Sequence, residues 1–110
     1  MVAAPYQYTY LDWAETDDAD EPQAIAAGLT LERVYSYRPP VGALGVQGQL
    51  WGEYTPTPNL VEWRAFPRLA AIAEIGWSSG ERDFPAFRRR LVDHLPLLAE
   101  LGVGYRPLER

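Results

Sequence analysis

Apolar and polar positions follow two different periods along the chain, and the elements are read from where the period changes. Residues 6–13, "YQYTYLDW", alternate aromatic with small polar residues, the two-residue period of a strand. A strand over 6–12 would put Tyr6, Tyr8, Tyr10 and Asp12 on one face and Gln7, Thr9 and Leu11 on the other. Residues 14–23, "AETDDADEPQ", hold five acids and no base, which reads as a solvent-facing loop. A short helix is expected from Thr30, with Arg33 inside it, stopped before Pro39 and Pro40. A Gly-spaced strand follows over 45–51, its glycines implying close backbone approach.

The period then lengthens to that of a helix. Thr57 is a good N-cap and Pro58 suits the first helical position. Leu60, Val61, Phe66, Leu69, Ala70, Ile72, Ala73 and Trp77 recur at helical spacing, predicting a helix over 58–77 that Pro67 should kink. A last helix over 84–101 starts after the cap Asp83 and buries Phe84, Phe87, Leu91, Leu95, Leu98 and Leu101. Pro96 should bend it, Gly102 should end it, and residues 103–110 should trail as a surface tail. Among the leucines of this helix, His94 reads as half-buried and Arg88, Arg89 and Arg90 as a solvated face.

Two strands joined through a helical crossover predict a parallel pair, hence an α/β fold. Two parallel strands leave two open edges, and parallel sheets want more strands than two with both faces covered. The chain therefore reads as a slice of something larger. With 110 residues it is a single domain of 1–110, and 47% hydrophobic residues rule out a disordered chain.

Charge and composition narrow the chemistry. The net charge of −5 argues against a nucleic-acid partner. No apolar run approaches the ~20 residues of a membrane span, and the N-terminus lacks the basic and apolar regions of a signal peptide. No Cys excludes a thiolate metal site, a single His argues against a His-based metal site or a Ser-His-Asp triad, and no cofactor is expected. The acidic loop matches no calcium-binding loop. Arg68 and Glu74 are read as partners in structural ion pairs.

The segment "GVQGQLWGEYTPTP" over 45–58 carries the functional signal. Trp51 and Glu53 stand two apart at a strand end, so an aromatic plate and a carboxylate would project together. A sugar ring asks for one face to stack on and one acceptor for its hydroxyls. On pattern alone the bland readings win: Tyr10 and Asp12 as a packed aromatic and a turn former, Trp51 and Glu53 as a core Trp beside a solvated acid.

Three stretches reverse that preference. "YTYLDW", "VQGQLWGEYTPTPNLVEWRAFPRLAAIAEIGW" and "DFPAFRRRLVDHLPLLAELGVGYRP" together resemble the C-terminal part of a family 20 glycoside hydrolase, a β-N-acetylhexosaminidase. The resemblance covers nearly the whole chain and implies about the last two β/α units of a (β/α)8 TIM barrel, with "YTYLD" on the seventh strand and "GQLWGE" on the eighth. It implies that Tyr10 donates its hydroxyl to the substrate's acetamido oxygen. It also implies that Asp12 binds sugar hydroxyls, that Trp51 walls the acetamido pocket, and that Glu53 accepts from the outer hydroxyls of a terminal N-acetylhexosamine.

The family's chemistry is substrate-assisted and retaining, an exception to the two-carboxylate scheme. Its adjacent Asp-Glu pair has no match here. Asp17-Asp18 and Asp20-Glu21 lie in the acidic loop without the family's His-x-Gly-Gly lead-in, and the sugar-binding Arg of the first strand is also missing. The isolated chain is expected to be inactive, its partners an N-acetylhexosamine-terminated glycan and either the missing barrel strands or further copies of itself. Secreted or periplasmic origin fits the family. The alternatives are a non-catalytic carbohydrate-binding or self-assembling module, or a helical interaction domain over 57–102 with the N-terminal half as a loose arm.

Overall fold

Val2–Ala3 (β1) and Gly45–Val46 (β2) form a two-stranded parallel sheet, Val2 opposite Gly45 and Ala3 opposite Val46. Around it lie helices α1 (Tyr6–Thr9), α2 (Leu31–Tyr35), α3 (Pro58–Ala65), α4 (Arg68–Trp77) and α5 (Phe84–Glu100). The computed structural model describes residues 1–24, 26–78 and 81–108. The result is an α/β domain with two parallel strands, not a full barrel.

The strand expected over 6–12 is not there. Strand β1 lies earlier, and Tyr6–Thr9 is one helical turn. The alternation of "YQYTY" fits a strand, but the amides of Tyr8 (3.1 Å) and Thr9 (3.0 Å) and the Thr9 hydroxyl (2.9 Å) all turn back to the Pro5 carbonyl. Pairing resumes at Tyr10, bridged in parallel to Gln49, where the Leu11 amide meets the Gln49 carbonyl at 2.7 Å. Between the two paired stretches the first segment has six residues and the second two. The surplus is looped out as α1, at the end of β1. The expected strand over 45–51 is correspondingly reduced to β2 and the Gln49 bridge.

Helix α2 begins at Thr30, whose hydroxyl accepts from the Arg33 amide. Thr57 caps α3 through the Leu60 amide, and Asp83 caps α5 through the Ala86 amide. Pro67 breaks the 58–77 span into two helices rather than kinking one. Phe66 before it is extended, and α3 ends there. Helix α5 continues through Pro96 and ends at Gly102, whose φ of +79° suits glycine. The Val103 amide bonds the Leu98 carbonyl and the Gly102 amide that of Ala99, closing a Schellman motif.

The core joins both halves of the chain. Leu11, Leu29, Leu31, Val34 and Tyr35 pack with Ala71, Ile72 and Ile75 of α4 and with Phe87 and Leu91 of α5. This excludes a helical pair over 57–102 with a loose N-terminal arm. Gly48 passes so close to α4 that a Cβ there would lie 2.8 Å from Ile72 and 3.2 Å from Leu11; a Cβ on Gly45 or Gly52 would meet nothing.

Four expectations about exposure change, the first at Leu101, expected buried at the end of α5 but 69% exposed. The buried face across α3 and α4 is Arg64, Ala65, Arg68, Ala71, Ile72 and Ile75, while Val61 and Ala73 are exposed and Trp77 is 92% exposed. His94 is exposed, not half-buried. The tail is not free: the Arg106 amide bonds the Phe66 carbonyl (2.9 Å) and the Gly104 amide bonds Glu62 (2.7 Å). Residues 109 and 110 of that tail lie outside the described residues.

Candidate functional site

Where the chain leaves the sheet, Tyr6, Tyr10, Asp12, Trp13, Ala26, Trp51, Glu53 and Tyr54 line one open cleft of about 390 Å³. All four residues singled out in the sequence, Tyr10, Asp12, Trp51 and Glu53, face this space. They come from two segments some forty residues apart, held side by side by the bond between Leu11 and Gln49.

Trp51 sits at the end of the extended β2 segment and precedes a 3₁₀ turn over Gly52–Tyr54. The turn, not a strand pleat, sets the placement of Glu53. It is closed by the Thr55 hydroxyl, which donates to the Trp51 carbonyl at 2.8 Å. Trp51 is half exposed, and its ring centre lies 6.0 Å from that of Tyr10 at a 51° tilt. Glu53 is exposed.

Asp12 is the opposite case. It is only 3% exposed, and its Oδ1 has no hydrogen-bond partner. Burial pushes its carboxyl above the usual carboxylate value. Its own backbone N–H and the guanidinium groups of Arg64 and Arg68 pull it back, and Glu53 adds a smaller upward push. Asp12 thus lines the cleft with a carboxyl group whose Oδ1 is enclosed and keeps unused acceptor capacity.

Sequence reading missed three aromatic neighbours in this cleft. Tyr6 comes within 6.3 Å of Tyr10 and 5.9 Å of Trp13, centre to centre. The spacing of Tyr6 and Tyr10, four apart, is the signal that a helical turn would stack them on one side. Tyr54 enters with the turn.

Arg68 and Glu74 do make ion pairs: Arg68 lies 4.0 Å from Glu15, and Glu74 holds Arg90 at 2.5 Å and the Tyr35 hydroxyl at 2.7 Å. The acidic loop is only partly solvent-facing. Asp17, Asp18 and Asp20 are exposed, but Glu15 and Glu21 are tucked against Arg106, at 3.3 and 2.5 Å. The Arg106 bond holds the Glu21 carboxyl below the usual range. Among the described residues no group of three or more His, Asp or Glu could hold a metal, and no helix is long and apolar enough to cross a membrane.

The sequence model of the glycosyl hydrolase family 20 catalytic domain matches residues 1–80. The β-hexosaminidase of Porphyromonas gingivalis is 38% identical over 106 residues, covering 87% of this chain and 14% of that protein. The β-hexosaminidase of Akkermansia muciniphila is 34% identical over 103 residues, covering 86% and 21%. Among solved structures, the exo β-N-acetylglucosaminidase of Vibrio harveyi, in complex with N-acetylglucosamine, superposes with a TM-score of 0.86 at 37% identity, over 96% of this chain and 18% of that one. The β-N-acetylhexosaminidase of Streptomyces coelicolor gives 0.83 at 29%, over 96% and 23%. The chain thus spans less than a quarter of the length of these relatives. Across that span both the sequence and the path of the backbone agree, and the chain belongs to glycosyl hydrolase family 20.

Proposed function

We propose that this chain is the C-terminal part of a β-N-acetylhexosaminidase, about the last two β/α units of its (β/α)8 barrel. In this reading the cleft is one wall of the subsite for a terminal N-acetylhexosamine. Tyr10 donates to the acetamido oxygen, Trp51 backs the acetamido pocket, and Asp12 and Glu53 accept from ring hydroxyls. The observation that carries it is the convergence of these four side chains on one cleft, with a buried Asp12 oxygen unpaired. The parallel pairing of β1 with β2 supports the barrel origin, since parallel strands with intervening crossovers are that fold's repeating unit.

Hydrolysis in this reading is substrate-assisted and retaining. The acetamido oxygen attacks the anomeric carbon, and an Asp-Glu pair orients the acetamido group and protonates the leaving oxygen. This 110-residue sequence contains no such pair in the family's setting. It contributes binding residues, and turnover needs the remaining barrel.

The test is titration of the ¹⁵N-labelled chain with N-acetylglucosamine, glucose serving as control. The Trp51 indole and the amides near Asp12 should move with N-acetylglucosamine while the distant Trp77 indole stays still. Trp51→Ala and Asp12→Asn should abolish the response. A folded chain whose Trp51 signal ignores the sugar overturns the subsite. Turnover of an aryl N-acetylglucosaminide that co-purifies with the chain and vanishes in Glu53→Gln overturns the inactivity of the isolated chain.

A second reading, a self-assembling module derived from the barrel, is favoured by one observation. Beside the open edge of β2, Leu44 and Trp77 stand exposed on an apolar groove floored by Val46, Leu69 and Ile72. Light scattering decides it: a concentration-independent monomer mass rules it out.

A further inference from the structure

Two arginines lie beneath the segment that carries Asp12. Arg64 and Arg68 are 3% and 2% exposed, on the buried face shared by α3 and α4. Most of their bonds go to main-chain carbonyls rather than carboxylates. Arg64 donates to the carbonyl of Asp12 and, through Nη2, to those of Pro22 (2.9 Å) and Gln23 (2.8 Å). Arg68 donates to the carbonyls of Leu11, Trp13 (2.8 Å) and Leu29 (3.0 Å).

Burying a guanidinium is costly, and an apolar side chain would fill the same space with less desolvation. What the guanidinium adds is a rigid fork of five donors able to fasten several carbonyls at once. Here the fastened carbonyls are those of three consecutive residues, 11 to 13, plus the point where the acidic loop returns. The middle residue of the three is Asp12, whose side chain lines the cleft and whose Oδ1 is buried without a partner.

We propose that Arg64 and Arg68 are positioning residues of the sugar subsite. By gripping the backbone on both sides of Asp12 from beneath, they hold its carboxylate aimed into the cleft as a hydroxyl acceptor. This rests on the cleft being a sugar subsite. The two cations also act on the Asp12 charge directly, pulling against the effect of burial. The other charged groups acting on this cluster are Glu53 from the 3₁₀ turn, Glu15 and Glu21 from the acidic loop, and Arg106 from the tail.

The test uses the full chain with ¹³C-labelled Asp and ¹⁵N-labelled Arg. Arg64→Lys keeps the charge, but a single ammonium cannot reproduce the planar fork. Its affinity for N-acetylglucosamine should fall about tenfold, as when an outer-shell partner of a binding residue is lost. The titration midpoint of the Asp12 carboxyl carbon should move upward. A lower melting temperature with sugar affinity and Asp12 midpoint both unchanged would make the arginines structural only and overturn the proposal. If the lysine variant does not fold, the unmodified chain decides. The Arg64 and Arg68 Nε–H resonances should shift with the Asp12 midpoint, and flat resonances overturn the proposal. If the unmodified chain ignores the sugar, the subsite reading fails, while the Asp12 shift in Arg64→Lys still reports on positioning.

Discussion

At Asp12 a carboxyl group lining the cleft is buried at the expense of the fold. Its carboxyl is raised above the ordinary value of 3.8, mainly by burial. An acid with a raised folded pKa contributes stability that is fully present below the ordinary value and is lost as pH rises through the folded one. At neutral pH the charged form therefore works against folding. Asp12→Asn removes that charge in nearly the same shape, so its stability at pH 7 should rise by on the order of 1 kcal/mol, raising the melting temperature. The gain should shrink as pH falls through the raised midpoint. Thermal melts of the two chains between pH 3 and 8 test this. Residue identity was the most legible layer: Tyr10, Asp12, Trp51 and Glu53 were all visible in the sequence. The roles of Arg64 and Arg68 were not, because a charged residue in a helix reads as surface unless the carbonyls that receive it are known.

At the scale of elements, local signals placed the helices from α2 onward, but they missed α1 and overextended the strands. Thr30, Thr57 and Asp83 each cap a helix through an amide three residues ahead, a relation contained within one turn. A strand exists only where a distant partner accepts its hydrogen bonds, so the aromatic alternation of 6–12 did not make one. The glycines of 45–52 read alike in the sequence but differ in the fold. Gly48 presses against Ile72 and Leu11, whereas Gly45 faces open space. Gly48→Val should destabilise by about 1–3 kcal/mol through overpacking. Gly45→Val should stay within about 0.5 kcal/mol of the parent. Chemical denaturation of the two variants separates them, and equal losses would mean that the close approach at Gly48 is not limiting.

For the whole molecule, the tail closes the structure around the acidic loop. Arg106 reaches Glu15 and Glu21 and lies over the Trp63 ring at 5.5 Å, so the last residues tie the acidic loop to α3. The Glu21 carboxyl is depressed chiefly by its bond to Arg106. Stability from such an acid is present above its ordinary value of 4.5 and is lost as pH falls through the depressed one. Arg106→Gln should cost about 1–2 kcal/mol at neutral pH and flatten this acid limb. Hydrogen exchange at the Ala14 amide, bonded to the Ala26 carbonyl, should quicken as the loop loosens. An unchanged acid limb would mean that other carboxylates dominate it.

The sequence alone determined what depends on neighbours within a turn or on residue type: helix starts and stops, the acidic loop, the lack of thiols, and the family-like residues of the cleft. Tertiary structure decided what depends on distant partners. It looped out Tyr6–Thr9 where the strand was expected, because the surplus residues on one chain had no counterpart on the other. It buried two arginines on the face expected to be apolar, because a returning loop offered carbonyls there. It left Trp77 in solvent, because no neighbouring element among the described residues covers that side of α4. Periodicity shows that a side chain has an apolar face, but which partner covers that face is settled only by the packed chain.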